Sequence, residues 1–218
     1  MHTVRVSRTL NIVCIYKMIV TLIEKEKSME LKMNDTIRTI LERRSIRQFK
    51  GEQIPKDDLN TIIEAGIYAP SARNLQPWHI TVIRDESLIG EVEHEIREYM
   101  LNSDNEDLIE RAKDGTRTIF HKAPTILLVS GDESNAYMKG DCSNVLQNIS
   151  LAAWSLGIGS CYIGMGNMLF QTDRAEEFVT RLEIPKGYKS YCWISLGYAD
   201  GTMPIAPERK DGVVTYIE

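Results

Sequence analysis

Residues 147–164 read QNISLAAWSLGIGSCYIG and decide the fold of this chain. Apolar side chains recur at helical spacing from Val145 to Leu156, which predicts a buried helix with a wide apolar face. Gly157 and Gly159 end that helix, and the CYI that follows predicts a short strand. The order helix, glycines, strand is the reverse of a dinucleotide-binding fingerprint, so this kind of nucleotide site is excluded here.

Outside this segment, helices and strands follow one another without regular βαβ units. Helices are predicted from a cap at Asp35, from residue 55, over 87–100 and over 173–182. Strands are predicted at 79–84, 124–130, 191–197 and, in the tail, 213–218. This element order predicts an α+β domain with mixed strands.

Composition places the chain among ordinary globular proteins. Of its 218 residues, 43% are hydrophobic and 26% are charged, which is enough for a core. Lys and Arg number 26 against 31 Asp and Glu, and the net charge of −5 excludes the strongly basic profile of a nucleic-acid-binding protein. The 4 cysteines and 4 histidines are dispersed without ligand spacing, so we expect no metal site, and reduced thiols in the cytoplasm.

The N-terminal segment differs in character from the rest. Residues 4–23 are apolar, but Arg5, Arg8 and Lys17 interrupt the run before it reaches membrane-spanning length, and it lacks the clean apolar core of a signal peptide. We therefore predict that residues 1–32 form an N-terminal extension and that residues 33–218 form one domain. We expect no membrane partner, although a membrane-surface segment within the extension remains an alternative.

Two further segments carry candidate binding chemistry. Residues 43–49, RRSIRQF, place three guanidinium groups and a hydroxyl within five positions. Guanidinium forks match phosphate oxygens, so this run predicts a phosphate cradle, and a solvated basic helix end is the alternative. Residues 70–78, PSARNLQPW, form a loop bracketed by prolines, in which Ser71, Asn74 and Gln76 are suited to read the polar edge of a planar heterocycle.

These three segments, in this order and spacing, resemble the FMN-dependent nitroreductase superfamily. LGYADG at 196–201 and ERKDGVV at 208–214 also fit, so the resemblance runs from about residue 34 to the C-terminus. It implies a nitroreductase-like fold with a central, mainly antiparallel sheet flanked by helices. It also implies an intertwined homodimer with exchange of the C-terminal tails and two FMN molecules at the interface, each contacted by both chains.

The resemblance also implies which residues bind the cofactor. Those that match its FMN-contacting motifs are Arg43, Arg44, Ser45, Arg47, Pro70, Ser71, Asn74, Ile163, Gly164 and Arg209. The members from 43–47 and the tail arginine match phosphate and ribityl contacts, with Lys210 as a substitute for the latter, and the members from 70–74 match a loop supplied by the partner chain. At Gly164 some members carry a glutamate, so only a backbone amide of this chain is expected to face flavin N5.

The reaction implied by the resemblance passes a hydride from NADH or NADPH through FMN to an electron-poor acceptor, such as a nitroaromatic compound or a quinone, by a ping-pong mechanism. No side chain need act as acid or base, so we name no catalytic residue. The polar residues 104–118 are a candidate lid. Three alternatives stay open: a reductive dehalogenase or flavin-destroying member, a non-catalytic flavin-binding or redox-sensing protein, and a fold relative without flavin.

Overall fold

The computed structural model describes residues 32–218 of the chain. The predicted extension lies outside them apart from residue 32, so its boundary stays a prediction. The chain divides into two units, residues 1–38 and 39–218, and the hydrophobic core and the candidate site belong to the second. Within the described part, no helix is both long and apolar enough to cross a membrane.

The described elements confirm the predicted α+β class. The α-helices, α1 to α6, are Asp35–Glu42, Lys56–Ile67, Glu86–Leu101, Glu106–Lys113, Met138–Ser155 and Ala175–Arg181. The strands, β1 to β4, are Trp78–Ile83, Thr125–Asp132, Gly159–Ile163 and Tyr188–Gly197. Short 3-10 helices span Ala72–Asn74 and Met165–Gln171.

The four strands form one sheet in the order β1-β2-β4-β3, and every neighbouring pair is antiparallel. The antiparallel sheet implied by the resemblance is therefore confirmed, whereas the mixed strands expected from element order are wrong for this sheet. Parallel pairing occurs in a bridge from Ser45 to Ser160, outside the named strand pairs. That bridge matters because it attaches the basic segment 43–49 to β3.

The sheet has a hydrophobic cluster on each face, because alternate residues of a strand point to opposite sides. On β2, Ile126 and Leu128 join one cluster and Leu127 and Val129 join the other. All four are fully buried, which explains why β2 is a continuous apolar run rather than an alternating one. Helices cover both faces, so the sheet edges rather than its faces are available for a site.

Helices α2 and α5 pack closely against each other over one face of the sheet. A Cβ on Gly66 of α2 would lie 2.7 Å from Cγ1 of Ile149 on α5, so this contact requires a glycine. Ile149 and Ala153 are fully buried, as the apolar stripe of the opening segment predicted. The helix that decides the fold is therefore held against its neighbour and positions β3, which follows it.

Trp193 of β4 fills the centre of the other face, and Gly166 lies directly against it. The fully buried indole has its ring centroid 5.4 Å from that of Phe120, and a Cβ on Gly166 would lie 2.5 Å from its Cγ and Cδ1 atoms.

We expect Gly166→Ala to lower the free energy of unfolding by about 1–3 kcal/mol, because the rigid ring must move in a packed core. Urea unfolding followed by circular dichroism measures this.

Gly90, on the exposed side of α3, is the matched control. A Cβ there would meet nothing within 4 Å, so Gly90→Ala is expected to raise the unfolding free energy by about 0.5–1 kcal/mol. Equal effects of the two substitutions would contradict the packing described for Trp193.

An ion-pair network joins α3 to α6 on the surface. Glu91 accepts hydrogen bonds from Arg174 and Arg181 at 2.7 Å each, and Glu177 contacts the same two arginines. Both guanidinium groups also lie over the Phe178 ring, 5.0 and 5.4 Å from its centroid. The hydrogen bonds from Arg181 and then Arg174 lower the pKa of Glu91 from 4.5 to about 2.

This shift predicts how stability changes in acid. Because folding lowers the pKa of Glu91, its contribution is complete above its unfolded-state pKa of 4.5 and is lost as the pH falls towards about 2. We expect Glu91→Gln to lower the melting temperature at neutral pH and to reduce the loss of melting temperature across that acidic range. Glu98→Gln on the same helix is the control, and an identical acid profile for the two variants would contradict the network's role.

Two sequence expectations differ from the structure at the chain ends. Asn34, not Asp35, caps α1, since the amide of Ile37 donates to Asn34 Oδ1 at 2.9 Å. The predicted strand at 213–218 is wrong for the isolated chain, because these residues have no regular secondary structure. A strand needs a neighbouring edge, and within residues 32–218 none of the four strands pairs with the tail.

Candidate active site

The basic segment 43–49 lies along the edge of β3. The amide of Ile46 donates to the carbonyl of Ser160 at 2.9 Å, and the Ile46 side chain is buried. A Cβ on Gly159 would lie 2.7 Å from Ile46 Cγ1, so this glycine permits the close approach of the two backbones. The sequence motifs 43–49 and 147–164 are therefore brought together by direct backbone pairing.

Arg47 faces a cavity of about 690 Å³ at the end of β3. The lining residues are Arg47, Arg111, Arg117, Ile119, His121, Cys161, Tyr162, Ile163, Gly164, Met165 and Met168. They include three guanidinium groups and, within the described part of the chain, no carboxylate. The cavity thus combines a cationic end with apolar walls, which suits a ligand that has an anionic group and a flat apolar body.

Two smaller cavities adjoin this one through Arg47. One of about 380 Å³ adds Lys122 and Thr116, and another of about 210 Å³ adds Thr202 and Pro204 from the beginning of the tail. Asp200 is the acidic residue that lines both. Arg47 therefore lies where the main cavity, the 116–122 segment and the tail meet.

The histidine and the cysteine that line the cavity, His121 and Cys161, are held in their neutral forms. Burial first, and then the charges of Arg47 and Arg111, lower the pKa of His121, so it is a neutral imidazole at pH 7. Burial raises the pKa of the Cys161 thiol, against a smaller opposite effect of Arg47 and Arg43, so it stays protonated. Positive charge in the cavity therefore comes from guanidinium groups, and no thiolate nucleophile is formed.

Among the predicted phosphate contacts, Arg44 differs from its neighbours. Its Nη1 donates to the carbonyl oxygens of Leu41 at 2.7 Å and Arg43 at 2.8 Å. The guanidinium therefore satisfies carbonyl groups at the end of α1 rather than facing the cavity. Arg43 lines none of the three cavities, but its charge slightly lowers the pKa of the Cys161 thiol against the larger effect of burial.

The loop 70–77 is anchored to the start of α5 and does not line the cavity of its own chain. The amide of Ala72 donates to Oδ1 of the buried Asp141 at 3.1 Å, and Asn144 Nδ2 donates to the Pro70 carbonyl at 3.1 Å. Ser71 Oγ accepts from the amide of Gln76 at 3.0 Å. The predicted loop residues are thus held rigidly, on a surface separate from Arg47.

Three residues of this loop, Arg73, Asn74 and Gln76, adopt left-handed backbone conformations that non-glycine residues rarely use. Arg73 has φ 54° and Asn74 has φ 55°, and the Asn74 side chain accepts from Gln76 Nε2 at 3.1 Å while remaining exposed. Such strain persists only where the surroundings enforce it, and it is common at ligand-binding loops. The loop is preformed to present polar side chains outward.

The tail residue Arg209 is fully on the surface and lines none of the three cavities. Of the predicted residues, the chain itself brings Arg47, Ile163 and Gly164 together in the cavity lining, and Ser45 is attached to β3 beside them by its bridge to Ser160. It does not bring Pro70, Ser71, Asn74 or Arg209 to the same place.

The sequence did not single out the cavity residues Arg111, Arg117 and His121. Arg111 and Arg117 lie in the polar segment 104–118 that was predicted as a candidate lid, and α4 now occupies residues 106–113 of it. The available signal was the excess of cations over residues 111–122, where Asp114 is the one acid, directly after the acidic start of α4. Within residues 32–218, no group of His, Cys, Asp and Glu side chains is placed to hold a metal ion.

Comparison with known proteins agrees with this geometry. A model of the Nitroreductase family matches residues 40–198. A nitroreductase with bound FMN from Desulfitobacterium hafniense superposes with a TM-score of 0.80 and 36% identity, over 85% of this chain and 100% of that one. A nitroreductase with bound FMN from Bacteroides fragilis gives a TM-score of 0.80 and 34% identity over the same shares. The NADPH-flavin oxidoreductase of Vibrio harveyi is 30% identical over 190 residues, 84% of this chain and 74% of that protein.

The fold and the cationic cavity at the sheet edge define a flavoprotein-type oxidoreductase scaffold. The chain belongs to the nitroreductase family. The family resemblance drawn from the three sequence motifs is thereby confirmed.

Proposed function

We propose that this protein is an FMN-dependent oxidoreductase that uses NADH or NADPH to reduce an electron-poor acceptor, such as a nitroaromatic compound or a quinone. The observation that supports this most is the cavity at the end of β3, in which three guanidinium groups meet apolar walls without a lining carboxylate. The bound FMN would supply the two-electron redox chemistry that links the nicotinamide to the acceptor. The Vibrio harveyi relative is named an NADPH-flavin oxidoreductase, which supports a nicotinamide-dependent flavin reaction.

The residues present fit FMN at both of its ends. Arg43 and Arg47 would hold the phosphate by charge-assisted hydrogen bonds, with Ser45 beside them and Arg209 arriving from a tail. Ile163 and Gly164 would face the ring with backbone groups. A Cβ on Gly164 would meet the Tyr162 ring no closer than 3.5 Å, and its φ of −72° is open to any residue, so only the backbone of this position is needed.

A homodimer completes this site in the proposal. The loop with Ser71 and Asn74 is preformed and exposed but lies outside the cavity of its own chain, as expected of a loop that serves a partner's flavin. The tail exposes apolar side chains, including Ile205 at 92% and Tyr216 at 83%, which a second copy would bury. An exchange of tails would also bring Arg209 to the phosphate.

The protein's contribution to the reaction is positioning and charge. Guanidinium groups hold the anionic end, apolar side chains such as Met165 and Met168 keep water from the ring, and the backbone at Gly164 orients it. Because Cys161 and His121 remain neutral, neither supplies a nucleophile or a charged acid, and we assign no catalytic side chain. The proposed compartment is the cytoplasm, supported by the buried free thiols of Cys142, Cys161 and Cys192.

Steady-state kinetics test this proposal. Initial rates measured with varied NADH or NADPH at several fixed concentrations of a neutral quinone should give parallel double-reciprocal lines, because both substrates use one cavity in turn. Intersecting lines would contradict the shared cavity. Bound FMN without turnover would instead favour the redox-sensing alternative. Turnover of a halogenated phenol, with no turnover of any quinone, would favour the dehalogenase alternative.

A further inference from the structure

The cavity contains more positive charge than a flavin phosphate needs. Arg43, Arg47 and Arg209 are the cations assigned to the phosphate above, yet Arg111 and Arg117 also line the cavity. Both come from the segment 106–117, which is far from the 43–49 motif in the sequence. They line the cavity together with the apolar side chains of Ile119 and Met168, and no carboxylate is among the described lining residues.

Arg111 has no compensating acid. Within the described residues it forms no ion pair, and although it is exposed to solvent it lines the cavity together with His121. Helix α4 holds it there, because Asn105 caps the helix by accepting from the amide of Asp107 at 3.0 Å and Ala112 is buried in the core. An uncompensated cation at a partly enclosed site favours an anionic ligand.

Arg117 is fixed by its backbone and by one acid. Its carbonyl accepts from Arg97 Nη2 at 3.1 Å, and its Nε pairs with Asp114 Oδ2 at 2.9 Å. Asp114 is itself held by the hydroxyl of Thr116 at 2.6 Å. Because Asp114 occupies Nε, the terminal nitrogens of the Arg117 guanidinium remain to bind a second anion.

The turn after Arg117 is anchored to α3. The amide of Phe120 donates to Glu93 Oε1 at 2.7 Å, and the amide of Lys122 donates to Thr118 Oγ1 at 2.9 Å. His121 and Lys122 have φ values of 60° and 59°, a strained arrangement that the anchoring contacts maintain. The segment that carries Arg111 and Arg117 is therefore held in place by these contacts and is not a free loop.

We propose that Arg111 and Arg117 form a receptor for an anionic group of the acceptor, so that the preferred acceptors are flat, electron-poor aromatic compounds that carry a carboxylate or a similar anion. This inference rests on the proposed function and names its substrate class. The aromatic body would pack against Ile119 and Met168, and the anion would reach the two guanidinium groups. The contact orients the acceptor and adds no chemical step.

The test compares 4-nitrobenzoate with 4-nitrobenzamide, which have nearly the same shape but differ in charge. The specificity ratio is kcat/KM for the anion divided by kcat/KM for the amide, measured for wild type and for the Arg111→Gln, Arg117→Gln double variant. We expect the ratio to fall about tenfold or more in the double variant, since charge-assisted hydrogen bonds are lost for the anion alone. Lys113→Gln, which removes the same charge from α4 outside the cavity, should leave the ratio unchanged.

Calorimetric titration of the FMN-loaded protein with each compound gives a second readout that needs no turnover. A dissociation constant for 4-nitrobenzoate that rises about tenfold or more in the double variant, with FMN content retained, supports the receptor. The proposed receptor would be overturned if the double variant kept both the specificity ratio and the dissociation constant of wild type. Loss of FMN from the double variant, or an equal effect of Lys113→Gln, would overturn it as well. If wild type reduces neither compound but binds the anion through these arginines, the proposed function fails while the receptor survives.

Discussion

Replacing Arg43 and Arg47 together by glutamine is expected to yield a protein that is folded, colourless and unable to retain FMN. Arg47 lines all three adjoining cavities, and Arg43 precedes Ser45, which is bridged to Ser160 of β3. Two charge-assisted hydrogen bonds of about 1.5–3 kcal/mol each are lost, which weakens FMN binding by about 100-fold or more. Fluorescence titration of the apoprotein with FMN measures the dissociation constant.

Arg44→Gln is the matched control for this experiment. It removes one positive charge from the same segment, but its guanidinium donates to the carbonyl oxygens of Leu41 and Arg43. We expect this variant to bind FMN as wild type does and to lose a little stability at the end of α1. Stoichiometric FMN in the double variant, or equal loss in Arg44→Gln, would contradict the phosphate cradle.

The second large effect is expected from the tail. Ile205 and Val213 are 92% and 73% exposed in the single chain, so Asp at both positions should change the stability of a monomer little. In a dimer with exchanged tails these side chains become buried, and two carboxylates in an apolar interface raise the dimer dissociation constant by about 100-fold or more. Analytical ultracentrifugation over a range of protein concentrations measures this constant.

The conservative pair Ile205→Val, Val213→Ile keeps the apolar surface and serves as the control, which should remain dimeric with bound FMN. Because the loop with Ser71 and Asn74 is expected to serve the partner's flavin, the Asp variant should also lose FMN as it dissociates. A monomeric wild type, or an Asp variant that stays dimeric and yellow, would contradict tail exchange.

Sequence alone predicted the central elements because their signals are local. The apolar run of β2 and the stripe from Val145 to Leu156 gave a buried strand and a buried helix, and both are found. Motif 43–49 was predicted as a phosphate cradle from its residue types, and its backbone pairing with Ser160 places Arg47 at the cavity. In these segments, local propensity and tertiary packing favour the same structure.

Residues supplied by tertiary contacts were not predictable in this way. Arg111 and Arg117 reach the cavity because α3 holds their segment, through Glu93 at the amide of Phe120 and Arg97 at a carbonyl. No local pattern encodes those contacts. The tail shows the opposite case: its sequence has a β-type pattern, but among residues 32–218 none of the four strands pairs with it. The proposed exchange of tails would supply the missing neighbour from a second copy.

In the proposed function, the cationic cavity at the end of β3 holds FMN, and NADH or NADPH reduces the FMN there. The most direct measurement is the absorption spectrum of the purified protein from 300 to about 550 nm, before and after anaerobic addition of NADH and then of NADPH. We expect a flavin spectrum that bleaches with at least one of the two nucleotides and returns when an acceptor is added. A flavin that neither nucleotide bleaches, or a protein that stays colourless after incubation with FMN, would contradict it.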